Sequence, residues 1–124
     1  MKTYLFTPLF FALSFSAKKC ESKNENEMYK GRLEVKGICM NYTIKLLEGN
    51  LDKSKLESEW KDDVTGKMYN NVFALASVCD FPSTIKETDE FYFIIDTNSK
   101  QQCAVCLAYY PKPAKSLAIK VVNK

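Results

Sequence analysis

The chain has 124 residues, with 18 Lys plus Arg against 15 Asp plus Glu, five Cys and no His. That length suits one domain, and a composition of 46% hydrophobic and 27% charged residues excludes a disordered or collagen-like polymer. Without His there is no Ser-His or Cys-His nucleophile pair, no His-ligated metal and no imidazole pH switch, so the chain reads as non-enzymatic.

Residues 1–16 read as a secretory signal peptide. Met1-Lys2-Thr3 is a short positive start, Tyr4 to Phe15 is mostly apolar, and Ser14 and Ser16 place small side chains at −3 and −1 of a cut after Ser16. The run stops at Lys18-Lys19, short of the roughly 18–20 apolar residues that span a membrane. Ala17-Lys18-Lys19 also breaks the small-residue pattern of a bacterial lipid-anchor site at Cys20. The expected product is exported, periplasmic or extracellular, with no lipid anchor and no transmembrane segment in the mature chain. Its slight positive charge gives no reason to expect nucleic acid as a partner.

Residues 17–28 are polar and predict a flexible N-terminal arm, which leaves 29–124 as a single β domain. Alternation begins at Tyr29: Leu33 and Val35 are apolar at odd positions, then Ile38, Met40, Tyr42, Ile44 and Leu46 at even ones. A one-residue change of phase at Gly37 predicts one long strand over 29–47, bent or bulged at the glycine. Ser54-Lys-Leu-Glu57 matches a helix-capping box, yet alternation through Leu56, Ser58 and Trp60 favours a strand. Val64-Thr-Gly66-Lys67 reads as the turn into its partner, Met68 to Val78, with Asn70-Asn71 marking a bulge. Thr84-Ile-Lys-Glu87 could cap one helical turn, and Phe91 to Ile95 reads as a central strand. Cys103 to Tyr110 predicts another strand, stopped by Pro111-Lys-Pro113, and Leu117 to Val122 a last one.

These elements predict an all-β fold: a small antiparallel barrel of five to six strands, with a bent first strand and at most one short helix. The long glycine-bent strand and the segment Ile85-Lys-Glu-Thr-Asp-Glu-Phe-Tyr-Phe-Ile-Ile95 resemble the OB-fold over roughly residues 29 to 122. The resemblance is architectural. It departs at 79–88, where room for that fold's connecting helix is lacking. The Lys/Asn-rich style and the leader look like small exported proteins of Bacteroidota. A barrel of this kind implies binding of oligosaccharide or oligonucleotide through strand faces and loops, an analogy of fold alone.

The cysteines are the most informative residues. Cys103-Ala-Val-Cys106 has the spacing of thiol oxidoreductases, but those place the motif at a helix N-terminus and this one lies among β-formers. On a regular strand, residues i and i+3 lie about 10 Å apart on opposite faces, beyond the about 7 Å a disulfide tolerates. Cys103 and Cys106 should therefore bond elsewhere, leaving two pairings of Cys39 and Cys79 with Cys103 and Cys106 and Cys20 as the odd one. The alternative is a metal-binding or thiol-redox protein using Cys103 and Cys106, the metal version being a Cys₄ site with Cys39 and Cys79, although zinc sites usually carry two CxxC knuckles.

Other features are weaker. Glu57, Glu59, Asp62 and Asp63 form an acidic stretch without Ca²⁺-loop spacing, and Glu87, Asp89 and Glu90 lack the flanking aromatics of a glycosidase. Asn41-Tyr-Thr43 is a glycosylation sequon. After residue 97 the chain carries lysines and no Asp or Glu; Tyr109, Tyr110, Lys112 and Lys115 could form a basic, aromatic ligand face, while lysines also guard an edge strand. The expected function is a disulfide-stapled binding module for a protein or glycan at the cell envelope, with no cofactor.

Overall fold

The computed structural model describes residues 27–99 and 103–123; the expected leader, most of the expected arm and Cys20 lie outside them. The described residues form seven strands: β1 (Tyr29–Lys36), β2 (Tyr42–Glu48), β3 (Glu57–Lys61), β4 (Met68–Leu75), β5 (Glu90–Ile95), β6 (Ser116–Leu117) and β7 (Ile119–Val122). The only helical pieces among the described residues are three single 3-10 turns, at Ile38–Met40, Lys53–Lys55 and Val78–Asp80. The fold is all-β.

The strands form one sheet in the order β3-β4-β2-β1-β5-β7, every pair antiparallel, with β6 pairing in parallel with β4. Only Ala118 separates β6 from β7, so one short segment touches β4 at one end and β5 at the other. Ala74 and Ala76 donate their N–H groups to the carbonyls of Lys115 and Leu117, both at 2.8 Å. Ser77 adds a side-chain stitch: its Oγ donates to the Ile119 carbonyl and accepts from the Ile119 N–H, each at 2.8 Å. The seam is narrow, and the sheet forms a loose barrel rather than a fully closed one.

The single bent strand expected over 29–47 is instead two strands, β1 and β2, paired as a hairpin from Lys36↔Tyr42 to Lys30↔Glu48. The odd-to-even change of phase at Gly37 marks a reversal of the chain. Alternation alone does not separate a bulge from a turn when apolar residues continue through the turn. The expected strand after residue 51 is confined to β3, preceded by a 3-10 turn in which Asp52 accepts from the Ser54 N–H at 2.9 Å. Residues 62–67 make the expected turn, with Asp62 buried and its carboxylate accepting from the Val64 N–H at 2.9 Å. Asn71 takes a positive φ of 54° within β4, at the marked Asn70-Asn71 pair. No helical turn forms at 84–87.

β5 is central, paired with β1 on one edge and β7 on the other. Leu33, Ile44, Phe73 and Phe93 are completely buried at the centre of the core. Phe93 anchors it, with ring centroids 5.5 Å from Tyr29, 5.8 Å from Phe73 and 6.0 Å from Phe91. A smaller cluster of Val35, Tyr69 and Val72 is covered by Trp60 and Tyr110.

Candidate functional site: a cystine-stapled loop face

Between β5 and β6 the chain runs through residues 96–115, and none of its described residues is in a helix or strand. Connections beyond about 12–15 residues without secondary structure are uncommon and usually functional. The strand expected at Cys103–Tyr110 is therefore absent; this segment is irregular, and most of it is exposed. The alternation of Val105, Leu107 and Tyr109 gave it strand character, but it pairs with no strand among the described residues.

Two disulfides hold the segment, joining Cys39 to Cys106 and Cys79 to Cys103, with Cα–Cα distances of 5.1 and 5.5 Å. This is one of the two pairings the sequence left open. The strand geometry used to exclude a Cys103–Cys106 bond is not the reason it is absent. Each cysteine of the motif instead meets a different turn: Cys39 lies in the β1–β2 turn and Cys79 in the 3-10 turn after β4. The Cys103 N–H also donates to the Cys79 sulfur at 3.2 Å. In this bonded state the four residues offer no free thiolate to a metal or an electrophile.

The β1–β2 turn is shaped for these contacts. Cys39 and Met40 both take left-handed φ values, 57° and 61°, which are uncommon for side-chain-bearing residues and recur at functional sites. Asn41 Nδ2 donates to the carbonyls of Ile38 at 2.9 Å and Ala108 at 3.2 Å, bridging the two linked segments. Gly37 is required by close approach: a Cβ there would lie 2.5 Å from the Asn41 carbonyl oxygen and 2.6 Å from the Tyr110 ring. The glycosylation-sequon asparagine is thus a structural bridge, and Thr43 is wholly buried.

The outward side of these segments is apolar. Leu107 is 97% exposed, Tyr109 83% and Ile38 59%, with Met40 and Val105 also exposed. Beside them lies an open cleft of about 390 Å³, walled by both cystines, Met40, Val78 and Val105. Its polar groups come from Asn41, Lys112 and Ser116, and among the described residues no carboxylate lines it.

The chain matches no family model, no curated protein and no solved structure. Function must be read from the site.

The four residues of the expected basic, aromatic face have different surroundings. Tyr109 is exposed, whereas Tyr110 turns inward to the Val35–Tyr69–Val72 cluster. Lys112 lines the cleft, and Lys115 Nζ donates to the Leu56 carbonyl at 3.1 Å. Other sequence candidates have structural partners: Glu87 accepts from the Lys36 N–H at 2.8 Å, Asp89 from the Lys86 N–H at 2.9 Å, and Glu90 pairs with Lys30 at 3.7 Å. Among the described residues, no group of three or more Cys, Asp or Glu side chains is placed to hold a metal ion. Sequence reasoning missed Ile38, Met40 and Leu107 by assigning them to strands. A usable signal was present: apolar residues alternating beside cysteines that had to bond outside their own segment.

Proposed function

We propose that the protein is an exported, non-enzymatic module that binds a protein partner at the cell envelope through the apolar face of the 37–41 and 103–110 segments. The observation that carries the reading is Leu107, almost fully exposed on a segment fixed in place by two covalent bonds. Exposed apolar groups gathered on one face are costly in water and mark interaction surfaces. The bridges fix the backbone in advance, lowering the ordering cost of association. Disulfides fit a chain folded in an oxidising, non-cytoplasmic compartment, and no helix among the described residues is long and apolar enough to cross a membrane. A protein partner is favoured over a glycan because the exposed side chains of these segments are apolar, while Tyr110 packs against the Val35–Tyr69–Val72 cluster and Lys115 donates to the Leu56 carbonyl.

The test uses the oxidised protein, immobilised and exposed to an envelope extract, beside a Leu107→Glu variant. The expected result is a partner whose capture falls about tenfold or more in the variant, as for a central interface anchor. Equal capture by both proteins refutes the assignment of this face. The rival metal or thiol reading requires free cysteines: intact mass before and after alkylation, with metal analysis, decides it. Four alkylatable thiols and one bound metal would overturn the binding-module reading.

A further inference from the structure

We propose that the cleft beside the cystines is the anchor pocket for the carboxyl-terminal apolar residue of a partner polypeptide. The inference rests on the binding-module reading and narrows it from a face to a ligand chemistry.

Size comes first. At about 390 Å³ the cleft falls within the range of small-ligand sites, roughly 300–1,000 Å³, so it suits one large side chain with its terminal groups. Its walls of cystine sulfur, Met40, Val78 and Val105 favour an alkyl or aromatic body.

Charge narrows the choice. Among the described residues, Lys112 is the only charged one lining the cleft, and it makes no ion pair with any of them. A ligand carboxylate would meet an unopposed cation; a ligand cation would be repelled. Phosphate or sulfate could satisfy Lys112 but would leave the apolar walls unfilled.

Asn41 separates a peptide from a fatty acid. Both hydrogens of its Nδ2 are committed, to the Ile38 and Ala108 carbonyls. Asn41 lines the cleft, and its Oδ1 has no donor among the described residues, so it is available to a ligand N–H. The last residue of a polypeptide brings a backbone N–H for that oxygen, a carboxylate for Lys112 and a side chain for the walls. A fatty acid lacks the N–H. Capture of a terminal carboxylate is one of the recurring modes of peptide recognition.

Fluorescence anisotropy on the oxidised full chain tests this, using labelled pentapeptides that end in leucine, valine or phenylalanine with a free carboxylate. The expected result is saturable binding of at least one, weakened about tenfold or more by carboxyl amidation, as befits loss of a charge-assisted hydrogen bond. Lys112→Gln should weaken it similarly, and Lys112→Arg should restore it. Equal binding of acid and amide, unchanged binding by Lys112→Gln, or no binding of any peptide overturns the anchor. Decanoate that competes as tightly as the peptide overturns the peptide assignment in favour of a free amphiphile. Partner capture that is lost in Leu107→Glu but unchanged in Lys112→Gln removes the anchor and keeps the face. Capture unchanged in both removes the two readings together.

Discussion

Cutting the Cys39–Cys106 bond with the double substitution Cys39→Ser/Cys106→Ser should destabilise the fold more than cutting Cys79–Cys103 in the same way. The two bridges are nested, spanning 67 and 24 residues. With the inner bridge intact, the outer one closes an effective loop of about 44 residues, because the inner bond short-circuits the chain between 79 and 103; chain-entropy arithmetic gives about 4 kcal/mol. The inner bridge, added to a ring already closed by the outer one, has an effective loop of about 15 residues and a contribution of about 3 kcal/mol. Together they supply about 7 kcal/mol, comparable with the roughly 5–15 kcal/mol that stabilises a typical domain.

Urea unfolding checks this, because the chain has a single tryptophan. Trp60 stacks on Tyr69 with centroids 5.7 Å apart and shares a cluster with Tyr110, at the end of the stapled segment. Its fluorescence therefore reports the barrel and the seating of the segment. The expected order of midpoints is wild type, then the inner-bridge variant, then the outer-bridge variant, with a chain lacking both close to unfolded. A loss below about 1 kcal/mol from the outer pair would refute the reasoning, since it would mean the unfolded chain gains little freedom. So would a larger loss from the inner pair.

Three further outcomes follow from single contacts. Gly37→Ala should cost about 1–3 kcal/mol by overpacking in the same urea titration, because the new methyl meets the Asn41 carbonyl and the Tyr110 ring. Phe93→Ala, at a completely buried position touching three other aromatic rings, should cost about 3–5 kcal/mol in the same urea titration. Burial raises the pKa of Tyr29, aided by Glu27, and of Tyr69, aided by Asp62. A raised folded pKa gives stability that is intact below the tyrosine's ordinary value of 10.0 and lost as pH climbs through the folded value. The thermal midpoint should therefore fall above about pH 10. A midpoint that stays unchanged above about pH 10 would refute this assignment.

Part of this fold is visible in the sequence because period two survives wherever one face of a strand is buried. Period two is plain at Leu33–Val35 and Tyr42–Leu46, whereas β4 and β5 are legible as short continuous apolar runs, Val72–Leu75 and Phe91–Ile95, and the 64–67 turn from Gly66. The hairpin at Gly37 was hidden because Ile38 and Met40 continue the alternation through the turn while their side chains face solvent. The same masking produced a false strand at 103–110. In both places apolar residues are spaced as if for a sheet but serve a surface. The observed cystines are one of the two choices the sequence leaves, although the strand geometry behind that narrowing is absent. The final choice depended on which turn each half of the CxxC could reach, and no local pattern carries that.

The two errors share one cause, and it bears on function. An apolar residue exposed in a turn is indistinguishable by pattern from one buried in a strand, so a face built from such residues reads as core. Burying the face internally would require pairing the segment onto a sheet edge, and among the described residues it pairs with none. Left unlinked, the 103–110 segment would have to be ordered at roughly 1–2 kcal/mol per residue with almost no burial in return. The bridges at Cys103 and Cys106 offset that cost, and they act at the very segment that contributes least to the core. A chain that needed only stability would gain as much from a bridge between buried strands. Placing both bridges under exposed Leu107 and Tyr109 makes sense when the ordered surface itself is what the protein presents.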